Sequence, residues 1–297
     1  MKQIAIAGSG VLGSQIAFQT AFHGYDVTVY DISDAVLSGL PAALARLAQL
    51  HQRDMRSTDE QTAGAMARIR TTTDLAVALR DADLLIEAVP EVVDIKLDFY
   101  ARAGALAPAK TIFATNTSTF LPSQFAAASG RPGQFLALHF ANEIWTRNTA
   151  EVMGHAGTEP AVFQQVINFA RSIGMVALPL HKEQPGFITN SLLVPWVTAA
   201  MRMWADGVAD YQTIDKTWMI GVKTHFVPFA FADLVGLNTA YNITLSMAEM
   251  HGDAGLARVA KRLKEEFIDH GKLGLVSGEG FYKYPDPAFA SPEFLRG

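Results

Sequence analysis

The chain has 297 residues, 49% apolar, 18% charged and 10% aromatic, the composition of a folded globular protein. At ~150 residues per domain, this length predicts two domains. A net charge of -5, with acidic and basic residues mixed along the chain, excludes the electrostatic footprint of a nucleic-acid or anionic-membrane binder and points to a small-molecule partner. The absence of cysteine excludes disulfides, thiolate metal sites and a cysteine nucleophile.

Lys2 to Ala7 form a predicted apolar strand, followed by Gly8-Ser9-Gly10-Val11-Leu12-Gly13 and a helix-period stretch from Ser14 to His23. The three glycines interrupt the first apolar run far short of the ~20 residues a membrane span needs. No basic segment with a cleavage site precedes that run, so the expectation is a cytoplasmic protein. Strand, glycine turn and helix in this order describe a dinucleotide site. Gly8 permits the tight turn, Gly10 lets a pyrophosphate approach the backbone, and Gly13 lets helix and strand pack closely. The first amides of the helix, at Val11 and Leu12, then face the phosphates. A second strand, Asp26 to Tyr30, ends on Asp31, 18 residues beyond Gly13, where a carboxylate accepts both ribose hydroxyls. Asp31 would repel a 2'-phosphate and no arginine follows it closely, so the expected cofactor is NAD rather than NADP.

Ser33 to about Arg70 reads as two helices parted near Arg56-Ser57-Thr58-Asp59. Strands are predicted at Ile69 to Thr72, Leu84 to Ala88, Thr111 to Thr115, Phe135 to Phe140 and Thr149 to Met153, with helices between most of them. The expected fold class is therefore α/β, a doubly wound and mainly parallel Rossmann-type sheet. Glu183-Gln184-Pro185-Gly186 breaks the strand before it, so the expected domains are residues 1–184 and 185–297. Beyond that turn the apolar runs have helical period, apart from a short strand signal at Gly280 to Tyr284. Helices apolar on more than one face, as in Leu192 to Met203, predict a homodimer.

Ligands of an open α/β sheet bind beyond the carboxyl ends of its strands. Three polar clusters fall there: Glu87-Ala88-Val89-Pro90-Glu91 with Lys96, Thr115-Asn116-Thr117-Ser118-Thr119, and Leu138-His139-Phe140-Ala141-Asn142 followed by Glu151. Hydride transfer from a secondary alcohol needs a base for the hydroxyl proton, a carboxylate to orient that base, and small polar donors on the substrate oxygen. His139, Glu151, Ser118 and Asn190 supply those types. By residue type alone His139 stands no higher than the other seven histidines; its place at a strand end distinguishes it. Trp196, Trp204 and Trp218, with Met201, Met203 and Met219, read as helical core, and Lys261 to Glu266 as a solvated charged face. His181, His225, His251 and His270 lack metal-ligand spacing, so no metal is assigned.

These segments carry a resemblance. Gly8 to Gly13, Ile86 to Glu91, Phe113 to Thr119, Leu138-His139-Phe140, Glu151-Val152, Pro185 to Asn190, Asp233 to Leu237 and Gly278 to Tyr284 together resemble the L-3-hydroxyacyl-CoA dehydrogenases over nearly the whole length. The resemblance implies a 3-hydroxy/3-keto oxidoreductase built from a Rossmann-type domain and a helical dimerisation domain. It implies His139 as catalytic base, Glu151 as its orienting partner, Ser118 and Asn190 on the substrate oxygen, and Glu91, Lys96, Asn116 and Ser118 beside Asp31 at the cofactor. Three departures stand out. Ala141-Asn142-Glu143-Ile144-Trp145 replaces the family's Phe-Asn-Pro, and with Asn148 to Met153 is similar to the diketoreductase branch. That branch lies near the L-gulonate dehydrogenases called lambda-crystallins and takes substrates without CoA; Trp145 is expected to wall its pocket. Leu47 and Asp54 occupy helix positions where CoA-binding members carry serine and basic side chains. Val227 replaces a glycine before Pro228-Phe229.

Overall fold

The structure, a computed structural model, describes residues 1–296. Two compact units divide the chain, Met1–Asn190 and a second from Ser191 onward.

The first unit is an eight-stranded sheet. Its strands are β1 (Gln3–Ala7), β2 (Asp26–Tyr30), β3 (Ile69–Thr72), β4 (Leu84–Glu87), β5 (Ile112–Thr115), β6 (Phe135–Phe140), β7 (Thr149–Met153) and β8 (Val176–Leu180). They lie in the order β3-β2-β1-β4-β5-β6-β7-β8, parallel except for the β6–β7 pair. Strands β4, β5 and β6 are buried at every position, as strands covered on both faces must be. Alternate residues enter two cores. Ile4, Ile6, Val29, Ile86, Leu136 and Leu138 meet helices α1 (Val11–Phe22), α3 (Leu40–Met55), α4 (Asp59–Ala67) and α8 (Pro160–Ser172). Ala5, Leu85, Phe113 and Phe135 meet α5 (Leu75–Leu79), α6 (Val93–Leu106) and α7 (Ser123–Ala126). Pro179, which cannot donate to a ladder, lies exposed on the edge strand β8.

The stretch after β2 holds three helices rather than two, because the one-turn α2 (Asp34–Leu37) precedes α3. The break expected at Arg56–Asp59 is present. Arg56 ends α3 in the left-handed region, and Thr58 and Gln61 form a reciprocal capping box that starts α4.

The helix α9 (Phe187–Ala205) leads into the second unit, which contains α10 (Tyr211–Val222), α11 (Pro228–Val235), α12 (Leu237–His251) and α13 (Ala254–Glu266). Its core gathers Trp204, Phe229, Val259, Leu263, Phe281 and Tyr282. Met201 and Met219 are buried, but Met203 is 40% exposed, and Trp196 stacks on the exposed Phe226 instead of entering that core. The strand expected at Gly280 to Tyr284 does not form; among the described residues only isolated bridges occur there. The reason is Asp233, whose carboxylate takes the Phe281 and Tyr282 amides that a ladder would otherwise use. No described helix is long and apolar enough to cross a membrane.

Candidate active site

Strand order reverses between β1 and β4, so the carboxyl ends of β1, β4, β5 and β6 line one edge of the sheet with a crevice at the switch point. The segments following those strands are the glycine turn, Glu87–Glu91, Thr115–Thr119 and the residues after His139. A cavity of about 220 Å³ opens there, lined by Gly10, Val11, Leu12, Gly13, Ala88, Val89, Glu91, Lys96, Asn116 and Ser118. Ala88 and Val89 belong to the cluster after β4 that the sequence places at the ligand edge, but without a role of their own there.

The glycine turn fits a dinucleotide. A Cβ on Gly13 would lie 1.9 Å from the Gly8 carbonyl oxygen, and one on Gly8 would lie 2.4 Å from that of Ala88, so both positions exclude side chains. At Gly10 a Cβ would meet nothing within 4 Å and would occupy the open space a pyrophosphate needs. No side chain caps α1 and no acid stands in its first turn, which leaves its first amides for an anion. Asp31 accepts from the Ser9 amide at 2.7 Å and the Ser9 hydroxyl at 2.6 Å, tying the turn to the end of β2. Ser9 carried no role in the sequence reading.

Behind the cavity lies a charged core. Glu87 and Lys96 are 0% and 1% exposed and paired at 2.6 Å, and the Lys96 ammonium also reaches Glu91 at 3.1 Å. Lys96 therefore borders the cavity with its charge already engaged. Tyr100 and Thr115 hydroxyls and the Val89 amide complete the Glu87 carboxylate. Glu91 in turn accepts from the Ser118 and Thr119 amides and from the Thr117 and Thr119 hydroxyls. Burial pushes its carboxyl up, but the Thr117 hydrogen bond and the Lys96 charge outweigh that and hold it below the ordinary value. Glu91 thus fixes the turn that carries Ser118.

At the next strand the chain brings three expected residues together. His139 and Glu151 are direct partners in the β6–β7 register, with Nδ1 2.9 Å from Oε2. A carboxylate only accepts, so Nδ1 carries the hydrogen and Nε2 of the neutral ring is the acceptor. The Ser118 hydroxyl lies 3.1 Å from that Nε2. Glu151 Oε1 accepts from the Ile188 and Thr189 amides, each at 2.9 Å, at the N-terminus of α9. Burial pushes the Glu151 carboxyl up, but the hydrogen bonds from His139 and the α9 amides prevail and keep it below the ordinary range. Asn116 Oδ1 accepts the Phe140 amide at 3.0 Å, joining the ends of β5 and β6.

Asn190 stands apart from that hydrogen-bonded group. It sits half-buried in the first turn of α9, and its side chain makes no hydrogen bond with the other described residues. Trp145 differs from its expectation: it is 6% exposed, packs in the sheet core and donates its indole N–H to Asp54 at 2.9 Å, so it is not the pocket wall its size suggested. Leu47 faces the same core, and Asp54 is also gripped by Arg53.

Comparison with known proteins agrees with this architecture. The profile of the 3-hydroxyacyl-CoA dehydrogenase NAD binding domain matches residues 3–184, and that of the C-terminal domain residues 186–284. The human mitochondrial hydroxyacyl-coenzyme A dehydrogenase is 30% identical over 289 residues, 96% of this chain and 91% of its own length. A probable 3-hydroxybutyryl-CoA dehydrogenase of Deinococcus radiodurans is 32% identical over 284 residues, 95% of this chain and all (100%) of its own. Among solved structures, a diketoreductase described for substrate-directed dual catalysis of dicarbonyl compounds is 51% identical with a TM-score of 0.91, covering 96% of this chain and 99% of the other. Both family domains are present in order and the relatives align over more than nine-tenths of both chains, so this chain belongs to the 3-hydroxyacyl-CoA dehydrogenase family and is an NAD-dependent oxidoreductase.

Proposed function

We propose that the enzyme interconverts a 3-hydroxy and a 3-keto group on a substrate that carries no coenzyme A, with His139 moving the hydroxyl proton. The Ser118–His139–Glu151 alignment carries this reading, because it presents a neutral Nε2 beside a hydroxyl and puts a fixed carboxylate behind the ring. In oxidation Nε2 takes the proton from the C3 hydroxyl, and in reduction the imidazolium returns it. Glu151 stabilises the imidazolium and keeps its own position through the α9 amides. Ser118 and Asn190 hold the substrate oxygen. When bound, NAD would provide the acceptor or donor of the C3 hydride. Gly8 to Gly13 would hold its pyrophosphate and Asp31 its ribose, with Glu91, Lys96 and Asn116 lining the rest.

The CoA-free part rests on α3. Leu47 is buried, and the nearby carboxylate of Asp54, joined to Trp145, offers a phosphate no purchase. The diketoreductase likeness points the same way, while the relatives named for hydroxyacyl-CoA support the thioester reading. NADH-dependent reduction of acetoacetyl-CoA measured against 3-oxo and 3,5-dioxo esters decides between them. The expected result is kcat/KM for an ester at least ~10-fold above that for the thioester, a 1.4 kcal/mol preference. Robust turnover of acetoacetyl-CoA that no ester matches would overturn it.

The proposal includes a cytoplasmic homodimer. Leu192, Ile220, Ile243 and Met250 are exposed on the helices of the second unit, and a second copy that covers them would bury that apolar surface, which supports this part of the proposal. A monomer by sedimentation at micromolar concentration would remove that part.

A further inference from the structure

The turn entering α9 does more than deliver amides to Glu151. Gly186 and Phe187 both take positive φ, 76° and 55°. Glycine adopts this region freely, whereas the Cβ of a phenylalanine crowds the backbone there. A bulky residue in that conformation persists only where its surroundings over-determine it, and such residues concentrate at functional sites.

Its surroundings are these. The Phe187 amide donates to the Gln184 carbonyl at 3.0 Å and the Asn190 amide to that of Gly186 at 3.1 Å, closing the turn. The next two amides, Ile188 and Thr189, reach Glu151. The Phe187 side chain folds back, fully buried beside Ala137, Met153 and Leu180. Its ring lies on the imidazole of His139, centroids 4.6 Å apart and planes 22° from parallel. The β6 backbone and the hydrogen bonds to Glu151 and Ser118 set the plane of the imidazole, but those bonds lie in that plane and resist out-of-plane rocking of the ring weakly. A flat contact on the ring face opposes that rocking directly.

We infer that Phe187 is a positioning residue for His139, clamping the imidazole plane so that Nε2 stays on the substrate oxygen while the proton moves. The inference rests on His139 being the acid/base group. A displacement of about 1 Å at a reacting atom can cost ~100-fold in rate, so loss of the clamp should appear in kcat. Phe187 does not face solvent, so cofactor affinity should not follow it.

The test compares Phe187→Leu, which keeps an apolar side chain without a flat face, with Phe187→Tyr, which keeps the face. Both are also placed in a His139→Gln background. Expected for Phe187→Leu is a kcat loss of ~10-fold or more, with substrate KM and NADH Kd within about 2-fold, reversed largely by Phe187→Tyr. With His139→Gln, Phe187→Leu should bring no further loss, since the group it positions is gone. Parental kcat in a folded Phe187→Leu enzyme, or an equal loss in both backgrounds, would overturn the inference alone. Full turnover by His139→Gln would overturn the acid/base reading and the inference with it. Where Phe187→Tyr does not fold, Phe187→Leu and the two backgrounds still decide.

Discussion

His139 and Glu151 stand directly opposite each other across the antiparallel β6–β7 pair, so the register of two strands sets their 2.9 Å contact. A slip of one residue would turn Glu151 to the other face of the sheet. Fixed so, the pair yields a clear expectation. His139→Gln should lower kcat by ~100-fold or more while NADH affinity, read by fluorescence titration, stays nearly constant. Glu151→Gln should cost a similar factor and also stability. The α9 amides at Ile188 and Thr189 then face an uncharged amide, and a lost or mispaired buried hydrogen bond costs about 1–3 kcal/mol. Equal kcat for parent and His139→Gln would end the proposed chemistry.

The Glu87–Lys96 pair supports the site from below. Replacing Lys96 with methionine leaves the 0% exposed Glu87 carboxylate with neutral donors only. Removing one partner of a buried pair costs about 3–5 kcal/mol, and the expectation here is the lower end, because Tyr100, Thr115 and Val89 remain. Urea denaturation should show that loss for Lys96→Met and a smaller one for Glu87→Gln with Lys96→Met together. A single variant as stable as the parent would mean that the Glu87–Lys96 pair does not stabilise the fold.

At the cofactor, Asp31→Ala should raise KM for NADH by ~10-fold or more, since hydrogen bonds to a charged group are worth about 1.5–3 kcal/mol each. It should leave kcat nearly unchanged and narrow the preference for NADH over NADPH. Ser9→Ala, which frees one Asp31 oxygen from a hydroxyl, should have a smaller effect in the same direction. Unaltered NADH kinetics in Asp31→Ala would displace the ribose from this carboxylate.

Local signals and long-range ones differed in how readably they were written. Gly8, Gly10, Gly13 and Asp31 were legible because turn, helix start and strand end are consecutive in the chain and their periods change where the structure changes. His139 and Glu151 were legible as a pair only through resemblance, since 12 residues of separation do not reveal a register. Phe187 gave no sign of its conformation: after Pro185-Gly186 the glycine alone accounts for a turn. Trp145 misled because size was the only visible property, and its partner Asp54 lies 91 residues away. The apolar, aromatic Gly280 to Tyr284 has strand propensity, yet its amides go to a carboxylate 48 and 49 residues upstream.

That carboxylate and a second one give the helical unit a pH dependence. Asp215 and Asp233 are both 0% exposed, and burial pushes Asp215 up to about 7 and Asp233 up to about 6. The Tyr282 hydroxyl and the Phe229 amide donate to Asp215, and the Tyr284 hydroxyl with two amides donates to Asp233, but no described cation pairs with either. Both folded values lie above the unfolded value of ~3.9. Through these two carboxyls the native state binds more protons than the unfolded one between about pH 4 and 7, so their contribution to stability falls as pH rises through that window, opposed up to about pH 6.5 by His51, which burial lowers to about 4. The contribution is fully present below the unfolded value and lost above about 7. Thermal melts should show Tm decreasing from pH 5 to pH 8. Asp215→Asn, which keeps an oxygen for the Tyr282 hydroxyl and removes the buried charge, should flatten that slope and raise Tm at pH 8. A slope that Asp215→Asn leaves intact would assign the pH dependence to other groups.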